Sequence, residues 1–165
     1  MLKIISLHYI WQPNITILKS LRFWERINLK YYSENALCLA AKYGSNDVIS
    51  LFIEEGVDVH YKGIDIEAED QPPKKWVPLM LAVAYDQLET AELLLTQGKA
   101  RSYEKDEKDK NALMIACENG NALMVALIMD HGAAITSWDN DGWTPLMYAA
   151  KNGRVEVIKL MIERD

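Results

Sequence analysis

Cysteine is scarce in this chain: Cys38 and Cys117 are the only two among 165 residues. Two thiols cannot build a disulfide scaffold, and they lack metal-ligand spacing. The reducing cytosol is therefore the default compartment. Long apolar runs are missing as well. No stretch approaches the roughly 18 residues that a membrane-spanning helix needs. The opening residues MLKIISLHYIW raise the question of a signal peptide, but only Lys3 precedes the apolar stretch and His8 interrupts it. Gln12-Pro13 follow with no small-residue cleavage pattern, so no export signal is expected. Without one, the acceptor pattern Asn14-Ile15-Thr16 carries no weight. A basic surplus is absent too: 18 Lys and Arg face 24 Asp and Glu, a net charge of −6 with a pI near 5.1. Such a chain cannot rely on the phosphate backbone for affinity, which excludes general nucleic-acid binding.

Catalytic chemistry is equally thin. The three histidines, His8, His60 and His131, lie far apart with no paired nucleophile or spaced ligand set. No phosphate-cradling glycine loop, zinc-protease helix or Gly-x-Ser-x-Gly elbow occurs. His131 precedes Gly132 at a helix end, where a polar or cationic side chain suits the exposed carbonyls. Cys117 stands where a second Ala is expected, a small buried role. No catalytic residue, metal site or cofactor is expected, and the chain does not read as an enzyme.

What is present is apolar content, half of all residues, and self-similarity. The first excludes wholesale disorder. The second appears when the chain is laid against itself. TPLMYAAKNGRVEVIKLMI from Thr144 repeats NALMIACENGNALMVALIM from Asn111, 33 residues upstream. VPLMLAVAYDQLETAELLL from Val77 lies 34 further back, and NALCLAAKYGSNDVISLFI from Asn35 another 42. In every copy a Leu (Leu37, Leu79, Leu113, Leu146) precedes an Ala by three residues (Ala40, Ala82, Ala116, Ala149). Turn positions recur twelve apart, Gly44 to Gly56, Asp86 to Gly98 and Gly120 to Gly132.

Each copy reads as two short helices. Thr144 can cap the exposed amides of the first, and Pro145 at its first position loses no hydrogen bond. The Ala pair keeps that helix thin. Gly153 breaks the chain, and Val155, Val157, Ile158, Leu160, Met161 and Ile162 follow at helical spacing. Gly132 ends the equivalent helix one unit earlier. A helix pair this small cannot bury its own apolar face, so neighbouring units must supply the partner surface.

These residues resemble the ankyrin repeat, whose pattern is D-x-x-G-x-T-P-L-H-x-A-A-x-x-G, a Leu-rich helix and G-A. Asp139-Asn140-Asp141-Gly142-Trp143-Thr144-Pro145-Leu146 and Gly132-Ala133 match it closely. The resemblance covers about residues 35 to 165. It implies an all-α solenoid of helix-turn-helix units with β-turn finger loops: about four recognisable repeats plus a divergent N-terminal unit. Residues 1–29 form that worn repeat or a helical cap, with a separate helical extension as the rival. Residues 30–165 hold the repeats, divided 30–71 with an insertion, 72–105, 106–138 and an incomplete 139–165.

The departures carry information. The family's His after Leu, which helps tie adjacent turns, is replaced by Cys38, Met80, Met114 and Met147, so packing by soft side chains substitutes. The Thr-Pro pair decays to Asn35-Ala36, Val77-Pro78 and Asn111-Ala112, and Gly yields to Asp86 and Asp109. The middle repeats are therefore expected to be less rigid than the last. About nine residues are inserted near Lys62 to Lys75, with Asp65, Glu67, Glu69 and Asp70 before Pro72-Pro73 and Lys74-Lys75. This is a tolerated surface loop or an acidic finger for a basic partner. Beyond Asp165 an uncovered apolar face is expected, from a short or truncated array.

In ankyrin arrays partners dock on the concave side, formed by loop tips and the exposed side of each first helix. Carried onto this chain, that pattern selects Tyr31, Tyr32, Tyr43, Trp76, Tyr85, Trp138 and Trp143, aromatic residues expected to face outward. Rings of this kind anchor interfaces. Trp76, Tyr85, Trp138 and Trp143 are the expected anchors, and Glu107, Lys108, Lys110 and Asp141 set register. The implied function is a monomeric, cytoplasmic protein-protein interaction scaffold binding another protein, with no nucleic acid, membrane or cofactor. Delivery into a host cell is expected if the source is a bacterial effector. Two rivals remain: a regulatory or targeting segment of a longer enzyme or effector extending beyond Asp165, and a purely structural spacer.

Overall fold

The computed structural model describes residues 30–64 and 75–164, apart from the side chains of Lys30, Tyr31 and Ile64. Expectations for residues 1–29 and for the acidic loop residues Asp65, Glu67, Glu69 and Asp70 lie outside them. Eight helices occur among the described residues, in pairs. They are α1 Lys30–Tyr43 with α2 Asn46–Glu54, α3 Pro78–Ala84 with α4 Leu88–Thr96, α5 Ala112–Asn119 with α6 Ala122–Asp130, and α7 Pro145–Lys151 with α8 Val155–Glu163. First helices α3, α5 and α7 pack successively in one layer, and second helices α2, α4, α6 and α8 in another. The chain is thus an all-α solenoid.

The repeating apolar positions explain the layers. Leu37, Leu79 and Leu113 are fully buried, and Phe52, Leu94, Ile128 or Met161, fifteen residues after the repeating Leu of each unit, is buried too. One position faces the neighbouring first helix and the other ties the pair together. Start signals are partly worn but still work. Asn111 Oδ1 accepts the Met114 amide at 3.0 Å, Asn121 Oδ1 accepts that of Met124 at 3.0 Å, and Thr144 Oγ1 that of Met147 at 3.3 Å. Asn in place of Thr therefore remains a good cap.

The turn inside each pair needs a left-handed residue, and Gly44, Asp86, Gly120 and Gly153 all have positive φ. Two of the glycines have a second reason. A Cβ at Gly44 would strike Gln87, and one at Gly120 would strike Arg154, because the following unit's side chain lies across the turn. Asp86, which has a Cβ, instead accepts the Asn121 side-chain amide at 2.5 Å.

Around the insertion the finger becomes a short antiparallel ladder, β1 Gly63–Ile64 against β2 Lys75–Trp76. The first unit differs from expectation in another way. Tyr31, Tyr32 and Glu34 lie within α1 and not on a finger tip. No Asp-x-x-Gly signal precedes Asn35, so nothing breaks the helix before it.

Burial also reverses the expected gradient of rigidity. Leu79 to Val83 and Ala112 to Cys117 are buried throughout, whereas α7 buries only Pro145 and Ala149. In a nearest-neighbour array, cover on both sides outweighs an intact turn motif. Amide hydrogen exchange is accordingly expected to be slowest in α5 and α6 and markedly faster in α7 and α8; the opposite order, read by mass spectrometry, contradicts this account.

Candidate partner-binding surface

The fingers are built on two aspartates 33 residues apart. Asp106 Oδ1 accepts the amides of Lys108 and Lys110, both at 2.9 Å. Asp139 Oδ1 accepts those of Asp141 and Trp143 at 3.0 and 2.8 Å. Each folds its own turn, and each spends its second oxygen on an aromatic residue. Trp76 Nε1 donates to Asp106 Oδ2 at 3.1 Å, and the Tyr148 hydroxyl donates to Asp139 Oδ2 at 2.6 Å. Between fingers, Lys62 Nζ donates to the Lys105 carbonyl at 2.7 Å, and Lys105 Nζ to that of Trp138 at 3.2 Å.

Trp76 therefore does not face outward as expected. It is 8% exposed and belongs to the core. The indole has a hydrogen-bond partner on the next finger and packs where the inserted hairpin closes, so its polar edge is satisfied inside. Lys110 also differs. It is half-buried, paired with Glu118, and its ammonium lies 4.3 Å from the Tyr148 ring.

The other sites fall on the surface. Tyr43 and Tyr85, equivalent residues of successive first helices, are 41% and 40% exposed. Between them sits the buried Lys42, its Nζ 5.7 Å from the Tyr43 ring and 4.6 Å from the Tyr85 ring. Trp143 is half-buried, 5.5 Å from Tyr148 at 46°, with Lys151 Nζ 5.1 Å from its ring. Cation–π contacts at such distances hold a ring in place without covering both faces. Trp138 and Tyr32 are highly exposed. Glu107, Lys108 and Asp141 are exposed on the fingers, with Glu107 3.6 Å from Lys75 Nζ. The side chain of Tyr31 lies outside the described residues. Tyr148 escapes sequence reasoning, whereas Lys42 is expected with Tyr43 on the exposed side of its helix and is instead buried.

Electrostatics make Asp139 the polar centre of the last finger. Burial by itself raises its carboxyl, but the Tyr148 hydroxyl, the Trp143 and Asp141 amides and the Lys110 charge together outweigh it. The carboxyl is held below the ordinary carboxylate value. Burial and then the Asp139 hydrogen bond push the Tyr148 phenol well above its ordinary value. A carboxyl depressed in the folded state contributes stability above its unfolded pKa, about 4, and loses it as pH falls through the folded value. The stability difference between the protein and its Asp139→Asn variant, from urea melts, should be constant near neutrality and shrink below about pH 4.

Burial pushes the thiols of Cys38 and Cys117 up to about 12, so thiolate is scarce at neutral pH. Modification of either by a maleimide should therefore follow global opening and accelerate with urea; rapid labelling of the folded protein contradicts this burial. No group of three metal-ligating side chains occurs among the described residues, and none of their helices is long and apolar enough to cross a membrane.

Stacked helix pairs with finger turns and an aromatic, charged outer face define a repeat solenoid of the interaction-module type. The family model for ankyrin repeats in three copies matches residues 7–104 and 79–165. The chain belongs to the ankyrin repeat family, a generic protein-interaction module. It is 29% identical over 140 residues to a putative ankyrin repeat protein of Fowlpox virus, FPV223, covering 84% of this chain and 91% of that protein. Another from the same virus, FPV031, is 28% identical over 127 residues, 76% of this chain and 35% of that protein. The ankyrin repeat and KH domain-containing protein mask-1 of Caenorhabditis elegans is 27% identical over 128 residues, 78% of this chain but 4% of its own length. The chain thus spans about a third of one of these relatives and a small fraction of another.

Proposed function

We propose that the chain binds a partner protein through the face formed by the fingers and the exposed side of the first helices, with no catalysis of its own. The observation that carries this reading is the pair of exposed rings Tyr43 and Tyr85 fixed by the buried Lys42. The Lys42 ammonium lies within cation–π distance of both surface tyrosines. It helps immobilise two amphipathic rings one repeat apart, which lowers the entropy cost of binding. Trp143, braced by Tyr148 and Lys151, extends the row, and Trp138 adds a finger tip. Glu107, Lys108 and Asp141 set register and orientation. Trp76 and Lys110 serve indirectly, by fixing the fingers from behind. The same reading has a single copy presenting the face in the cytoplasm, in keeping with two unpaired buried thiols.

A second reading rests on the length of the relatives. Because the chain matches a minor part of two of them, the module can serve as the regulatory or targeting portion of a longer protein.

The test begins with crosslinking, pull-down and mass spectrometry to identify a partner. Tyr85→Ala combined with Trp143→Ala should then weaken binding at least about tenfold while circular dichroism stays unchanged. Leu123→Ala, an exposed site on the second-helix layer, should leave affinity intact. Undiminished binding by the double variant overturns the choice of face.

A further inference from the structure

The outward side of the second-helix layer opens on a carboxylate in three of its helices. Asp47 on α2, Glu89 on α4 and Glu156 on α8 hold equivalent positions, and all are exposed. On α6 the same position is Leu123, which is 69% exposed. One turn further, where α4 has Glu92 and α8 has Lys159, α6 has Ala126. No charged residue occurs on α6 from Ala122 to Met129, and its buried side is made by Met124, Val125 and Ile128. Leu127 is half-buried, as are its equivalents Leu93 on α4 and Leu160 on α8, so apolar surface continues across three neighbouring helices. The rim of this strip is acidic. Neither α2 nor α4 contains a Lys or Arg. Glu89 Oε2 accepts the Asn46 side-chain amide at 2.9 Å, and among the described residues neither Glu89 nor Glu92 has a cationic partner. On the α8 side both cations are already neutralised, Lys159 by Glu156 at 3.0 Å and Arg164 by Asp130 at 2.6 Å.

We propose that the outward strip of α6 docks an amphipathic helix of a partner protein, apolar on one side and basic on its flanks. The apolar side lies on Leu123, Ala126 and Leu127, and Lys or Arg residues beside it reach Glu89 and Glu92. Burial of the exposed leucine supplies affinity, and the acidic rim selects the sign of the partner's charge. A second copy of this chain suits the strip less well, because it brings the same acidic rim to the contact. The site lies on the second-helix layer and is separate from the finger face.

The probe is a synthetic helical peptide of about 18 residues, leucine on one side and lysine on the other, followed by fluorescence anisotropy. It should bind the 165-residue chain, and the same peptide with glutamate for lysine should bind at least about tenfold more weakly. Leu123→Glu installs a residue type that α4 and α8 already carry at this position, so the fold tolerates it. Because it makes the surface more acidic, attraction by charge alone would strengthen binding. The docking site instead requires a loss of at least about tenfold. Glu89→Lys with Glu92→Lys should cause a similar loss, whereas Tyr85→Ala with Trp143→Ala should cause none. No binding, equal binding of both peptides, undiminished binding by Leu123→Glu, or a loss in the finger-face variant overturns the proposal. A dimer in analytical ultracentrifugation that Leu123→Glu dissociates also overturns it, and assigns the strip to a second copy.

Discussion

Apart from the 14-residue α1, the described helices have seven to nine residues; such helix pairs have more apolar surface than they can hide from each other, and almost every other feature follows from that shortage. A fully buried Leu or Met contributes roughly 1.5–3 kcal/mol relative to exposure. A hydrogen bond between units contributes only about 1 kcal/mol net. Burial of side chains such as Leu79, Met80, Leu113 and Met114 therefore contributes more than the polar bonds between units. The polar bonds between units have a different task. Apolar faces of similar shape slide past one another at little cost, whereas side chains such as Asn119 and Arg154 reach one particular carbonyl in the unit before them.

That division explains why glycine is retained at some turns and lost at others. At Gly44 and Gly120 the following unit's Gln87 or Arg154 occupies the space a side chain would need. Where the residue is Asp86, the crossing donor comes from Asn121 and bonds the carboxylate itself. The positive φ is common to all, so Asp86 accepts some backbone strain and returns a charge-assisted hydrogen bond. A worn motif in sequence is thus a substituted contact in space, and looseness does not follow from it.

The period, the Leu and Ala positions and the helix pairs were legible because each is a local pattern that recurs four times. Repetition averages out the ambiguity that a single short apolar run carries. The misplacements share one cause: each depends on a partner outside the repeating pattern. Trp76 sits at a tip position by register, yet its burial is decided by Asp106, thirty residues on, and by a hairpin that only the first unit has. Tyr31 and Tyr32 hold a tip position by register with the later units, but no turn signal precedes Asn35 and both lie within α1. Lys42 reads as a solvated charge, and only its position between Tyr43 and Tyr85 makes it part of a surface.

The replacement of the family's His by Cys38, Met80, Met114 and Met147 ties these strands together. The buried thioethers of Met80 and Met114 are poor hydrogen-bond partners, so the fingers depend on the tether that the pattern's own Asp supplies. Asp106 and Asp139 provide it, each closing its own turn with two amides and using the remaining oxygen on Trp76 or Tyr148. Trp76 is drawn inward by this arrangement and lost from the surface. Tyr148, drawn to Asp139, becomes the shelf on which Trp143 rests. The tether thus lies within the finger itself. There it decides which aromatic rings remain outside for a partner to meet.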